Sequence, residues 1–527
     1  MPEQLNHYPA EVLHRPAQLM EEKTDKSTPS AAFTRRSSGI LLHISSLPSR
    51  YGIGDFGAAQ DWLKRIQEAR QSWWQMLPLG PPGAGDSPYQ CFSAFAGNPD
   101  LISPDLLVAD GLLSKSGFQT PRFPESRVDY SRVRQFKRKV LAAAYERFSK
   151  DRETQFQDEF TAFASANAHW LDDYALFLAV KEARPTVSWM DWPKDIARRK
   201  KSAIASILNE LRDPVERLKF EQFIFFRQLK ALRDRAREAG VRLIGDLPIF
   251  ISAESSDVWA NPHLFLLDQN RRPKFVAGVP PDCFSCTGQR WGNPVYNWRA
   301  MKADGFRWWI DRARAALAQA DLVRLDHFRG FAAYWQIPAE NRTAEFGKWA
   351  RSPGGELFEE MKQALKGLPF IAEDLGLITP DVERLCDRFG LPGMRVLQFA
   401  FGLSDNPHSP HNYVSNCIAY TGTHDNDTSV GWWKSLERDK RREIECYAPG
   451  APRDIAWTLM RLAWASVASI AVAPMQDVLR LGNKARMNLP GTGTGNWRWR
   501  MAPASLNGRW TEALGELTET YGRAING

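Results

Sequence analysis

Four apolar stretches of the chain each run into a carboxylate: Gly245-Asp246, Arg324-Leu325-Asp326-His327, Ala372-Glu373-Asp374 and Thr423-His424-Asp425. An ionised side chain at the end of a buried strand costs free energy unless it is paired or faces a solvated cleft. Taken singly, such a residue has a simpler role as the N-cap of a following helix, a position that favours Asp. Asp374, Asp405 and Asp427 fit that role. For Asp326, Glu373 and Asp425 together the cap reading is much the weaker, because strand-end carboxylates converging on one site point to acid–base chemistry.

Glycosidic bond cleavage is a chemistry that uses three carboxylates, an arginine and a histidine in an aromatic cleft. Its transition state resembles an oxocarbenium ion, so one carboxylate attacks the sugar while another protonates the departing oxygen. Arg324, two residues before Asp326, would hydrogen-bond and ion-pair with it. The acid needs a raised pKa, supplied by burial and by neighbouring negative charge. A third carboxylate and a histidine would grip sugar hydroxyls. Chemistry alone allows Asp326 as nucleophile and Glu373 as acid without forcing it.

Residues 39–47, 72–79, 241–250, 321–328, 369–375, 394–401, 417–423 and 468–478 are short apolar runs, several of them rich in Ile, Val, Leu and Phe. Continuous rather than alternating apolar sequence is the mark of parallel strands covered on both faces. Helical patterns lie between them, as at 305–320 and 354–366. Eight strands alternating with helices predict a (β/α)8 barrel, whose active site is built at the C-terminal ends of the strands. A charged, helical stretch at about 100–239 reads as an insertion after the second strand. A Pro-, Gly- and aromatic-rich stretch at about 251–297 reads as a cleft-covering loop region after the third. The barrel is expected to occupy 39–527 as one catalytic domain, with 1–38 as a disordered polar extension.

The 527 residues carry a net charge of +8. Lys and Arg are mostly interleaved with Asp and Glu, so a solvated surface is the better account than a nucleic-acid partner. Six cysteines are too few for a disulfide framework, and one Cys-x-x-Cys pair, Cys283 with Cys286, lacks the companions of a zinc site. Polar residues 1–38 without an apolar core argue against a secretory signal, and no apolar run is long enough to span a membrane, so a cytoplasmic location is expected. Twenty Trp and 29 Phe supply flat faces suited to sugar rings, although most belong to a core. Trp291 and the Gly-Asn-Trp-Arg-Trp-Arg stretch at 495–500 are harder to place there.

Several motifs, in order over roughly 39–500, resemble the 4-α-glucanotransferases of the amylomaltase (disproportionating enzyme) family, relatives of the α-amylase clan. They are Ser46-Leu47-Pro48 with Gly52-Ile53-Gly54-Asp55-Phe56-Gly57, and Asp86-Ser87-Pro88-Tyr89-Gln90 followed by Phe92-Ser93-Ala94-Phe95-Ala96-Gly97-Asn98-Pro99. Gly245-Asp246-Leu247-Pro248-Ile249-Phe250 and Gly278-Val279-Pro280-Pro281-Asp282 follow, then Gly288-Gln289-Arg290-Trp291-Gly292-Asn293-Pro294. Last come the carboxylate motifs and Arg486-Met487-Asn488-Leu489-Pro490-Gly491-Thr492 with Gly495-Asn496-Trp497.

The resemblance implies Asp326 as nucleophile, Glu373 as general acid/base and Asp425 as transition-state stabiliser. It implies substrate contacts at Tyr89, Asp282, Trp291, Asn293, Arg324, His327 and His424, with Asp246 holding the architecture of the site. It implies a retaining transfer of an α-1,4-glucan segment to the 4-hydroxyl of another glucan or of glucose. No metal or organic cofactor is called for. The partners would be maltooligosaccharides and glycogen- or starch-derived chains, as in glycogen and maltodextrin metabolism. The rival readings are a hydrolase of the same clan and a non-catalytic glucan-binding protein. Cys283 stands where many relatives carry an aromatic residue, which bears on acceptor contacts, and a disulfide with Cys286 is a minor alternative.

Overall fold

The computed structural model describes residues 33, 35–150, 155–281, 285–402 and 404–524. Most of the expected N-terminal extension lies outside the described residues, and the first strand already begins at Ser37.

Eight parallel strands close into a barrel. They are β1 (Ser37–Leu41), β2 (Trp73–Gln75), β3 (Arg242–Pro248), β6 (Leu322–Asp326), β9 (Phe370–Ala372), β10 (Gly393–Val396), β11 (Cys417–Tyr420) and β12 (Ile470–Pro474). Going round the barrel the order is β1, β12, β11, β10, β9, β6, β3, β2, so neighbours in sequence are neighbours in space. Each strand falls within or against one of the eight apolar runs expected from the sequence. β1, β9, β11 and β12 are buried at every position, which is why their sequence does not alternate.

The surrounding helices show why the chain folds this way locally. Helix Phe56–Glu68 buries Phe56, Ala59, Trp62, Leu63 and Ile66, one face at helical spacing. Its N-cap is Asp55, whose Oδ1 accepts from the backbone N–H of Gly57 and Ala58 at 3.0 and 3.2 Å. It packs against helices Arg212–Glu238 and Trp510–Thr520, which continue the outer ring.

Between β2 and β3 lie the long helices Tyr130–Lys150, Gln155–Ala183 and Arg212–Glu238. The last two pack on each other, and the loop after β2 is pressed onto them at Gly97. A Cβ on Gly97 would lie 2.0 Å from the Phe225 ring, so that approach requires glycine.

A second sheet was not foreseen. β4 (Phe275–Val279) and β5 (Gln289–Pro294) follow β3, and β7 (Ala333–Pro338) and β8 (Lys348–Arg351) follow β6. They form an antiparallel sheet in the order β5, β4, β7, β8 beside the barrel mouth. The irregular stretch expected at 251–297 is therefore partly ordered sheet, joined to strands from the next barrel connection.

Candidate active site

Three of the four strand-end carboxylates, Asp326, Glu373 and Asp425, line one cleft at the C-terminal mouth of the barrel together with Trp291 and Arg324, and the fourth, Asp246, is buried against Arg324. Register explains part of this. In β3 and β6, Asp246 pairs with Arg324 and Pro248 with Asp326, so the parallel ladder sets Asp246 beside the arginine two residues before Asp326.

Arg324 is buried and forks between two acids. Its guanidinium donates to Asp246 Oδ2 at 2.6 Å and to Asp326 Oδ1 at 2.9 Å. Burial pushes the Asp246 carboxyl up to about 7, against the opposing pull of Arg324. Tyr89 Oη also donates to Asp246 Oδ2, at 2.7 Å, and lies 2.8 Å from His424 Nε2. Burial lowers the His424 pKa, against the opposing pull of Asp425. The two rings stack with centroids 5.3 Å apart, and Trp497 packs on both at 5.6 and 5.9 Å.

Glu373 follows β9 and is held by the segment after β6. His327 N–H donates to its Oε2 at 2.6 Å, and Phe328 N–H to its backbone carbonyl at 3.1 Å. His327 reaches this position in a left-handed conformation, φ 51° and ψ 55°, unusual for a residue with a Cβ. Desolvation, reinforced by the negative Asp326, pushes the Glu373 carboxyl well above its ordinary value, while Arg324 and the His327 N–H pull the other way. Desolvation also lowers the His327 ring to about 4, and that ring meets Trp291 edge-on with centroids 4.8 Å apart.

The Asp425 side chain, which follows β11, is 40% exposed, with its Oδ1 accepting from Asn488 Nδ2 at 2.7 Å and its Oδ2 3.4 Å from His424 Nε2. Asn293 is buried on β5 and accepts from Gln90 at 2.9 Å, which ties the second sheet to the loop carrying Tyr89. Arg486 donates to the Asp425 carbonyl at 2.6 Å and pairs with Asp427.

The structure thus brings Tyr89, Asp246, Trp291, Asn293, Arg324, Asp326, His327, Glu373, His424 and Asp425 into one site. Asp282 lies outside the described residues, as does Cys283 and with it the disulfide alternative. Asp374 and Asp427 are not helix caps. Asp374 accepts from Met394 N–H at 2.6 Å and pairs with Arg395 at 2.9 Å, tying β9 to β10 behind Glu373. Thr428, not Asp427, caps the helix Ser429–Ser435. Trp497 and Trp499, expected outside the core, are both buried, and Trp497 has its ring against the cleft residues Tyr89 and His424. Sequence reasoning passed over Gln90, Asn488 and Trp497 as individual site residues, although all three stood inside quoted motifs.

A family model described as 4-alpha-glucanotransferase matches residues 42–506. The chain is 48% identical over 499 residues to a 4-alpha-glucanotransferase of Synechocystis, covering 93% of this chain and 99% of that protein. It is 46% identical to the 4-alpha-glucanotransferase of Thermus thermophilus, covering 92% of this chain and 99% of that one. Among solved structures, an amylomaltase from Streptococcus agalactiae in complex with acarbose superposes with a TM-score of 0.89 at 40% identity, covering 93% of this chain and all of that one.

Proposed function

The chain belongs to the 4-alpha-glucanotransferase family, and from that premise we propose that Asp326 is its nucleophile, Glu373 its general acid/base and Asp425 the stabiliser of the transition state. The reaction is the retaining transfer of an α-1,4-glucan segment to the 4-hydroxyl of another glucan or of glucose. The observation that carries the assignment is the contrast between two carboxyls at one mouth: Asp326 receives a charged hydrogen bond from Arg324, whereas Glu373 is desolvated and pushed towards its protonated form. One is equipped to attack and the other to donate a proton.

In the first step an Asp326 oxygen forms a bond to the anomeric carbon as the glycosidic C–O bond breaks, and the Glu373 proton passes to the departing oxygen. This leaves a glycosyl ester on Asp326 and a Glu373 carboxylate. In the second step that carboxylate takes the proton of the acceptor 4-hydroxyl, whose oxygen displaces Asp326. Two inversions give net retention. Asp425, tethered by Asn488, faces the sugar hydroxyls, with His424 beside it. Tyr89 and Trp291 offer aromatic faces, while Asp246 and Asn293 hold the surroundings. The S. agalactiae amylomaltase binds acarbose, and the same inhibitor is expected to compete in this cleft. No helix among the described residues is long and apolar enough to cross a membrane, which fits the cytoplasmic role in maltodextrin or glycogen metabolism that we propose.

Incubation with maltotriose tests the reading. Transfer yields glucose and longer maltooligosaccharides with a constant number of reducing ends, and a steady rise in reducing ends identifies a hydrolase instead. Asp326→Asn should abolish turnover while retaining acarbose binding. Full activity in that variant removes Asp326 as nucleophile.

A further inference from the structure

Two turns that carry the aromatic wall around His424 each contain a left-handed residue with a side chain: Asp86 at φ 60° and Trp497 at φ 65°. Such conformations persist where the surroundings fix them. The turns abut, since a Cβ on Gly85 would lie 3.1 Å from the Gly493 carbonyl oxygen. Both are gripped by the start of the helical insertion. Asp86 Oδ1 lies 2.9 Å from Arg134 Nη2, and its Oδ2 lies 3.7 Å from Arg498 Nη2. Tyr130, one helical turn before Arg134, donates from its hydroxyl to the Trp497 carbonyl at 2.7 Å, and Val128 N–H donates to the Arg498 carbonyl at 2.7 Å. Arg134 also lies over the Tyr130 ring, 5.4 Å from its centroid.

We propose that Asp86 is a positioning residue for the transfer reaction, its ion pairs with Arg134 and Arg498 locking the turns that set Tyr89 and Trp497 around His424. Asp86 touches no substrate in this account. It acts because Tyr89 follows three residues later, and Tyr89 Oη sits between Asp246 and His424 at 2.7 and 2.8 Å. A small rotation of that loop breaks both contacts, and the helix Tyr130–Lys150 thereby serves the barrel mouth as a brace. The Asp86 carboxylate is 17% exposed and the Arg134 and Arg498 side chains 34% and 47%, so the pairs are screened only in part. The inference rests on the site assigned above to Asp326, Glu373 and Asp425.

The test uses the full chain with maltotriose as donor and acceptor, reading kcat, KM and Tm for Asp86→Asn, Arg134→Met, Arg134→Lys and the Asp86→Asn/Arg134→Met double variant. Asn tolerates the left-handed backbone, so Asp86→Asn removes charge with little change in shape. The expected result is a fall in kcat of about tenfold in Asp86→Asn and in Arg134→Met, as for removal of a charged positioning contact. KM should change by less than about threefold, Arg134→Lys should recover most of kcat, and the double variant should be no worse than the poorer single one. Unchanged kcat in Asp86→Asn overturns the proposal, as does a loss matched by Tm falling to the assay temperature, or additive losses in the double variant. Asp326→Asn assayed alongside separates the two claims, because its retained activity would unseat the site itself whatever Asp86 does.

Discussion

Arg324 holds Asp246 and Asp326 at once, one terminal nitrogen 2.6 Å from Asp246 Oδ2 and the other 2.9 Å from Asp326 Oδ1. The fork is possible because Arg324 and Asp246 are direct partners in the β6–β3 ladder, while Asp326 is two residues further along the same strand and so on the same face. One buried cation thus balances two acids, and its orientation is fixed from both ends.

Arg324→Lys is therefore expected to be damaging although the charge is kept. A lysine ammonium is a single point and does not reproduce two parallel donors in a planar fork. The variant should lose about 100-fold or more in kcat with acarbose affinity much less affected, measured by steady-state kinetics and calorimetry. Near-normal kcat would mean that Asp246 and Asp326 need no common donor.

The raised Glu373 pKa makes a signed prediction for pH dependence. Glu373 must be protonated to assist the departing oxygen, so kcat/KM falls as pH rises through its pKa, and desolvation moves that limb above the ordinary glutamate range. A donor with a fluoride leaving group at the anomeric carbon needs no such proton. The glycosylation step measured with α-maltosyl fluoride should therefore lose the alkaline limb seen with maltotriose. An identical limb with both donors would remove Glu373 as the acid.

What was legible followed from burial. Each of the eight barrel strands fell within or against an apolar run, several of them continuous because both faces are covered, and even three-residue β2 carried the adjacent pair Trp73 and Trp74. The second sheet was not legible. β4 and β5 carry Gly278, Gly292 and Pro294, punctuation that reads as loop, and β4 pairs with β7 from a separate connection, a long-range match with no local signal. The carboxylates were identified by type and strand-end position, but their partners were not. Asp374 looks in sequence like any cap. Gly393 held the missing clue, since a Cβ there would lie 2.2 Å from Asp374 Oδ2 and would evict it from its place against β10. The burial of Trp497 and Trp499 depends on backbone pairing with residues 126–128, far away in the chain.

Asn488 is expected to tune Asp425 from outside the catalytic trio. Its amide donates to Asp425 Oδ1 at 2.7 Å while its backbone N–H holds the His424 carbonyl at 3.1 Å. Asn488→Ala removes a hydrogen bond to a charged group, about 1.5–3 kcal/mol, and should cost kcat roughly 10- to 100-fold. Asn488→Asp sets a second carboxylate against the first and should be worse. Equal activity in wild type and both variants would show that Asp425 orients without this tether.

The left-handed backbone at His327 gives the sharpest separation between main-chain and side-chain roles. Its N–H donates to Glu373 Oε2 at 2.6 Å only because φ is 51°, a conformation that Asn tolerates and a β-branched residue resists. In His327→Asn the backbone contact survives and the ring against Trp291 is lost, so KM should rise several-fold with kcat within about threefold of wild type. In His327→Val the strain, on the order of 1–3 kcal/mol, works to pull the N–H away from Glu373. That contact lowers the Glu373 pKa, so its loss should move the alkaline limb to still higher pH, while kcat drops by about 100-fold as the acid loses its orientation. Both variants are read from pH profiles of kcat and kcat/KM on maltotriose. Matching profiles for Asn and Val would show that the ring, not the turn, is what position 327 contributes.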